Sequence, residues 1–249
     1  GVRLDDYESW GKETTGNAGI AWQIAAPFNV YVNYGTSFKP ATMAQLFNPQ
    51  YGVSTLAPES GRTAEIGFRS TWLGDQLNVE ASYWNTRLDD VIFFDYSIAN
   101  PRRPTGFGQY NNGAEGKTSG LEFKTTYELT SALDVYVNYT YTDSSNRAVG
   151  GDWVRTVQIA THKGNVGANF SSGRLMFGTN AYYSGPRLRW AGDLETDGYV
   201  RLDVSGRFQL TQGLSLSLRV ENLLDDDYLE ELGAQVLHRL ARVVEDGEQ

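Results

Sequence analysis

The most constraining feature of this chain is a period-two hydrophobic alternation that recurs in long segments from one end to the other. Leu133, Val135, Val137, Tyr139 and Tyr141 fall on one face, against Asp134, Tyr136, Asn138, Thr140 and Thr142. Leu77, Val79, Ala81 and Tyr83 oppose Gln76, Asn78, Glu80 and Ser82, and Leu214 to Val220 alternates with Ser215, Ser217, Arg219 and Glu221. Val200, Leu202, Val204 and Phe208 oppose Arg201, Asp203, Ser205 and Arg207. Weaker versions cover 18–25, 28–37, 62–72, 117–129, 164–171 and 174–184, and 2–7 reads as the end of one more. Period two is the signature of a strand with one apolar and one polar face. These segments approach the ~9–11 residues of a tilted membrane strand, longer than the ~5–6 of a soluble one.

The connections carry a second pattern. Short turns at 25–28, 73–76, 130–132, 172–173 and 211–213 alternate with long polar loops at about 38–61, 87–116, 144–162 and 185–197. A β-sandwich has no reason to sort its loops this way, whereas an outer-membrane barrel has tight turns on one side and long loops on the other. Phe28, Trp72, Tyr127 and Phe208 lie near the short turns. Tyr34, Tyr83, Trp84, Tyr139, Tyr141, Tyr182 and Tyr183 lie near the long loops, where interfacial girdles are expected. The expected fold is all-β: an antiparallel transmembrane β-barrel, here an incomplete half-barrel of about 11 strands.

Composition narrows the function classes. With no cysteine and histidine only at 162 and 238, a thiolate or imidazole-rich metal site and a cysteine nucleophile are excluded. A net charge of -9 argues against nucleic acid as a partner, which needs a basic face. No apolar run nears the ~20 residues of a membrane helix, and that leaves β-barrels untouched. Gly116-Lys117-Thr118 lacks the first glycine of a phosphate loop, which falls at Asn111, and no Gly-x-Ser-x-Gly elbow is present. Asp225-Asp226-Asp227 has carboxylates suited to a hard cation but lacks EF-hand spacing, so it reads as a solvated loop. No catalytic residue, metal ligand or cofactor is assigned, and the chain does not read as an enzyme.

Four stretches resemble motifs of the C-terminal half of TonB-dependent outer-membrane receptors. The first runs from Tyr34 through Phe38, Lys39 and Pro40 to Leu46; the second holds Leu56, Pro58, Glu59, Glu65 and Gly67. The third holds Asn111, Gly113, Gly120 and Glu122, and the fourth Asn222, Leu223, Asp225 and Tyr228. Lys39-Pro40-Ala41 inverts the family's usual Ala-Pro order. These residues read as structural: Pro58 squares off a strand start, Gly67 and Gly120 permit close approach or a bulge, and Asn222 and Asp225 bond local amides in a turn. The resemblance covers about residues 1–228.

It implies a Gram-negative outer-membrane receptor that takes up a metal chelate, a ferric siderophore first and cobalamin second. The implied partners are the TonB complex, reached through a plug absent from this chain, and membrane lipid and lipopolysaccharide. The loops offer a binding composition: Phe47, Tyr51, Phe107, Tyr110, Trp153 and Trp190 for stacking, with Arg102, Arg103, Arg155, Arg187 and Arg189 as forked donors. Anionic lipopolysaccharide competes with an anionic chelate as the reason for those arginines. A passive porin or other self-contained barrel, and less readily a soluble all-β binding protein, are the alternatives.

The two ends depart from the family. The chain opens at Gly1 without a leader pattern and reads as a piece of something longer. Residues 229–249 replace the expected last strand with an atypical tail whose Leu229, Leu232, Val236, Leu237, Leu240, Val243 and Val244 recur at helical spacing. With Asp225–Asp227 as N-cap, a helix is expected there. A reading-frame change or truncation in the parent gene would produce such a tail, a native interfacial helix being the alternative.

Overall fold

The computed structural model describes residues 1–7, 11–189, 194–228 and 240–247. In chain order its elements are β1 (Val2–Tyr7), β2 (Gly11–Ala25), β3 (Phe28–Lys39), α1 (Met43–Phe47), β4 (Glu59–Trp72), β5 (Leu77–Ala99), β6 (Phe107–Thr130) and β7 (Leu133–Arg147). There follow β8 (Val154–Arg155), β9 (His162–Ser172), β10 (Leu175–Ser184), β11 (Arg187–Leu188), β12 (Glu195–Thr196), β13 (Tyr199–Thr211), β14 (Leu214–Glu221) and β15 (Leu240–Gly247). Among the described residues one 13-stranded sheet runs in sequence order from β1 to β15, with β8 hanging on β7 and β11–β12 forming a separate ribbon. Every pairing among them is antiparallel, and all five short turns lie where the alternation places them.

Register turns the alternation into two faces. Phe28, Ser70, Val79, Thr125, Val137, Val166, Ala181 and Leu202 form one cross-strand row, and Val30, Phe68, Ala81, Phe123, Tyr139, Gly164, Tyr183 and Val200 another on the same face. Between them lies Asn29, Arg69, Glu80, Lys124, Asn138, Asn165, Tyr182 and Arg201, on the opposite face because successive side chains point to opposite sides. Among the described residues no second layer covers either side. Ile20, Ile66 and Val166 stand 77%, 52% and 52% exposed. A soluble sheet must bury such a face against another layer, and apolar patches beyond a few hundred Å² are rare on soluble monomers. Hydrocarbon on one side and water on the other satisfies both faces. No described helix is long and apolar enough to cross a membrane.

Three expectations need correction. The segment 87–116 is not a loop: β5 and β6 continue as a hairpin to Ala99 and Phe107, closed by residues 100–106. Register shifts between Leu88 and Val91, Val91 and Phe93, and Asp95 and Ala99 break the alternation there. Each shift moves side chains across the sheet, so the strand pattern is lost although the ladder persists. Trp84 and Tyr182 do not join an aromatic girdle on the apolar face, because their rows are the polar ones. Finally, residues 240–244 are not helical. β15 pairs with β14 from Leu214 opposite Gly247 to Glu221 opposite Leu240. The exposed edge of β14 offers unpaired amides and carbonyls, and pairing with them outweighs a helical spacing that residues 240–247 fit no better than alternation. The rest of the expected helix, 229–239, lies outside the described residues.

The two-faced wall makes a direct expectation. Probes at Val135 and Val137 will be lipid-accessible, and probes at Asn138 and Thr140 water-accessible, in a quenching experiment on the membrane-inserted protein. Val137→Arg will cost about 2–4 kcal/mol in a folding titration if the site is near mid-bilayer. Equal accessibility of both pairs would sink the wall assignment.

Candidate functional site

On the polar face, hydrogen bonds run from strand to strand. The Tyr31 hydroxyl lies 3.1 Å from Glu65 and 3.4 Å from Glu80, Asn33 donates to Glu65, and Arg69 both donates to Glu80 and lies 4.9 Å over the Tyr31 ring. Further along, Tyr136 and Asn165 both donate to Asn180, and Asn138 donates to Asn165. Glycines make room for the large rings on this face. A Cβ at Gly67 would stand 2.5 Å from the Tyr31 ring, one at Gly120 would meet Trp84, and one at Gly167 would meet Tyr136. Gly67 and Gly120 thus sit where a ring from the neighbouring strand lies close, and Gly167 repeats the arrangement with no motif to announce it. A ring laid over a neighbouring strand's glycine restores the packing that the missing side chain gives up.

At the end of the wall that carries the long connections, the β3–β4 connection folds onto the β5–β6 extension. Thr42 caps α1 reciprocally with Gln45, and Ala41, Leu46 and Leu56 bury against Ile92, with Val53 and Tyr110 beside them. Tyr51 meets the edges of Phe94 and Tyr110 at 5.9 and 5.7 Å, Tyr96 packs on Phe94 at 4.8 Å, and Arg103 lies 5.1 Å over the Phe94 ring. Asn100, 2% exposed, holds this lobe shut: its amide donates to Gln50 O and Gly108 O, and its oxygen accepts from Arg102. Arg102 in turn donates to Gly52 O. Asn112 bonds both backbone groups of Ala57 and the carbonyl of Asp90. The Asp95 carboxyl is held below the ordinary carboxylate range by the Ser97 hydroxyl and amide, so the lobe keeps a fixed negative charge.

The candidate binding residues therefore separate into groups. Tyr51, Tyr110, Arg102, Arg103 and Phe107 come together in the lobe, where the first four hold its shape; Phe107 is 53% exposed and Phe47, on α1, 56%. Trp153 is elsewhere, stacked with Lys117 at 4.3 Å and Arg147 at 4.8 Å. Arg187 begins the β11–β12 ribbon, the Arg189 amide donates to Leu194 O, and Arg155 ties that ribbon down through Glu195 and Pro186 O. Trp190 lies outside the described residues. Asn100 and Asn112, the side chains on which the lobe depends, give no signal in the sequence, because an isolated Asn in a Gly/Asn-rich stretch looks like any turn residue.

The motif residues have structural duties. Glu59, at the start of β4, accepts from the Ile92 amide and pairs with Lys39 at 3.1 Å, which joins three strands. Phe38 packs on Tyr7 and Glu122 sits 3.7 Å from Lys124. Gly113 has φ +106°, a bulge conformation open to glycine. Asn222, at φ +53°, exchanges hydrogen bonds with Asp226, and its amide donates to Asp203. Leu223 bonds back to Leu202 O, and Tyr228 stacks on Tyr199 at 4.2 Å. No described group of His, Asp or Glu could hold a metal ion.

The family model for the β-barrel of TonB-dependent receptor-like proteins matches residues 1–223. The chain belongs to that family. The vitamin B12 transporter of Vibrio vulnificus is 28% identical over 227 residues, covering 91% of this chain and 35% of that protein. The ferripyoverdine receptor of Pseudomonas aeruginosa is 24% identical over 230 residues, covering 86% and 27%. The crystal structure of the siderophore receptor PirA from Pseudomonas aeruginosa superposes with a TM-score of 0.76 at 19% identity, covering 99% of this chain and 44% of that one. The chain spans about a third of the length of the curated relatives it matches.

The lobe yields an expectation of its own. Asn100→Ala strands two carbonyls and takes the acceptor from Arg102 Nε, a loss of about 1–3 kcal/mol to the lobe alone. Limited proteolysis of the membrane-embedded receptor will then cut within 87–116 faster than in the parent, while the barrel keeps its heat-modifiable mobility. Unchanged cleavage would show that Asn100 does not hold the lobe.

Proposed function

We propose that residues 1–228 are the C-terminal wall of an outer-membrane receptor that captures a metal chelate outside the cell and imports it when TonB acts on a plug. Residues 229–249 are then a tail of atypical sequence, in which β15 pairs with β14 where a last strand would stand. The observation that carries the reading is the family match over residues 1–223, joined to a wall whose faces suit lipid and water. The likeness to that family is what supports the energy source and the plug in this reading.

The chelate would be met first by the loop groups. Curvature of a barrel would turn the β5–β6 lobe and the β11–β12 ribbon toward one axis, so Phe47, Tyr51, Phe107 and Tyr110 can offer stacking faces and Arg102, Arg103, Arg187 and Arg189 donors to an anionic chelate; Trp190 joins them on residue type alone. A ferric siderophore is the first candidate, because catecholate or carboxylate oxygens match guanidinium forks. Cobalamin is the second, favoured by the likeness to the Vibrio transporter.

Uptake of labelled ferric siderophores and of labelled cobalamin by cells carrying the full-length receptor separates these readings. Import is expected only with TonB and a proton-motive force; import that persists without TonB points to a passive pore. Arg187→Ala with Arg189→Ala is expected to weaken chelate binding by about tenfold or more if both side chains reach the ligand. Unchanged binding removes them from the site.

A further inference from the structure

On β6 one residue too many faces Ile92. Phe93 pairs with Asn111 and Val91 with Ala114, so Asn112 and Gly113 together stand opposite Ile92. Two residues against one make a bulge, where the regular ladder is interrupted. The Ile92 amide accordingly donates to Glu59 at 3.0 Å. Glycine is required at 113 twice over: its φ is +106°, and a Cβ there would stand 2.9 Å from Val149 Cγ2.

Asparagine is required at 112 for a different reason. Its half-buried side chain acts as an extra peptide group. It accepts from the Ala57 amide at 2.8 Å and donates to Ala57 O at 3.0 Å and to Asp90 O at 2.8 Å. These bonds join the β3–β4 connection to the bulge and to β5. A carboxylate has no donor, so an aspartate at 112 would point an anion at two carbonyl oxygens. Bulge and clamp make separate demands, and together they place the one Asn-Gly of the sequence at the joint of the lobe.

That dipeptide carries chemistry of its own. The Asn112 side-chain carbon is one ring closure from the Gly113 nitrogen, which glycine leaves unhindered. A bond from Gly113 N to Asn112 Cγ closes a succinimide. The Cγ–Nδ2 bond breaks, and Nδ2 leaves as ammonia with the proton that the Gly113 amide gives up. Water then opens either ring carbonyl, giving aspartate or isoaspartate. One water enters, one ammonia leaves, and nothing is oxidised or reduced. In the shut lobe the leaving nitrogen is the donor in two hydrogen bonds and Oδ1 holds a third, so its departure waits for the lobe to open. The product cannot rebuild the clamp, because it brings a charge and no donor.

We propose that Asn112–Gly113 is a site of spontaneous deamidation, shielded while the lobe is shut and exposed when it opens, whose product then holds the lobe open. A transient loosening is thereby turned into a lasting change. The inference goes beyond the transport reading and does not depend on it.

The test incubates the full-length folded protein at mildly alkaline pH and follows the peptide that holds Asn112 by mass spectrometry, with isoaspartate scored by enzymatic methylation. Conversion is expected to be fastest in the denatured chain. It is expected to be about tenfold faster in Asn100→Ala than in the folded parent, because the opening equilibrium sets the rate. Leu46→Ala, which hollows the apolar centre of the lobe, is the second opener should Asn100→Ala leave cleavage within 87–116 unchanged. Asn112→Asp, the product put in place beforehand, is expected to be cleaved within 87–116 about tenfold faster than the parent, with heat-modifiable mobility intact. Asn111, followed by asparagine and not by glycine, is the internal control and is expected to stay unmodified over the same period. No conversion at Asn112 in the denatured chain overturns the site, as does conversion of Asn111 at the same rate. Conversion as fast in the folded parent as in the denatured chain, or no faster in an opened variant than in the parent, overturns the shielding. Cleavage of Asn112→Asp at the parent rate overturns the effect on the lobe.

Discussion

Everything in this structure depends on the backbone ladder of a single-layer sheet. In hydrocarbon each unpaired amide or carbonyl costs several kcal/mol, so a strand can cross only if both neighbours satisfy it. Among the described residues the main sheet therefore follows chain order, β1 to β7, then β9, β10, β13 and β14, each strand bonded to the next, while β8 and the β11–β12 ribbon stay off that path. Once the ladder is fixed, period two leaves the chain no freedom over which side chains share a face. The apolar rows and the polar rows are consequences of register, and so is the outward position of Arg62, Arg87 and Lys117.

That dependence explains how much of the fold is legible in the amino-acid sequence alone. Strands such as Leu133–Arg147 are readable because alternation and register agree along their length, and the turns because loop length sorts by side of the membrane. The motif residues are readable as structural because Pro, Gly and Asn act locally. Legibility fails where register shifts. Between Leu88 and Ala99 three irregularities scramble the faces, so a paired extension looks like a loop. Trp84 and Tyr182 mislead for another reason: an aromatic near a strand end suits a girdle by composition, and only parity against Glu65 or Arg201 reveals that it faces water. In the tail, spacing alone points to a helix, whereas the free edge of β14 decides residues 240–247.

The candidate binding residues are legible as types and not as positions. Arginines and aromatics in long loops have the composition of an anion-binding surface, but the fold does not keep them together. Arg102 and Arg103 are drawn into the lobe by Asn100, Gly52 O and the Phe94 ring. Composition groups Trp153 with them, yet pairing between β6 and β7 places its cationic partners Lys117 and Arg147 in outer-face rows. One set of loop arginines and aromatics in the sequence thus divides in the fold between the lobe and the rows of β6 and β7.

The lobe shows why such a surface is built from amides over a small apolar centre. Ala41, Leu46, Leu56 and Ile92 form the cluster beneath it, too few to hold about 40 residues of connection by apolar burial alone. Asparagine closes the difference with geometry: buried Asn100 links three backbone segments, and half-buried Asn112 clamps the approach to β4 at Ala57. Those bonds are strong only while water is excluded, because an exposed amide exchanges partners with solvent at little net gain. The lobe is thus stable as a unit and vulnerable as a unit, which places it at the low-stability end of the molecule beside a wall that cannot open without exposing its ladder to lipid. The difference in stability between lobe and wall follows from what each part has for a solvent.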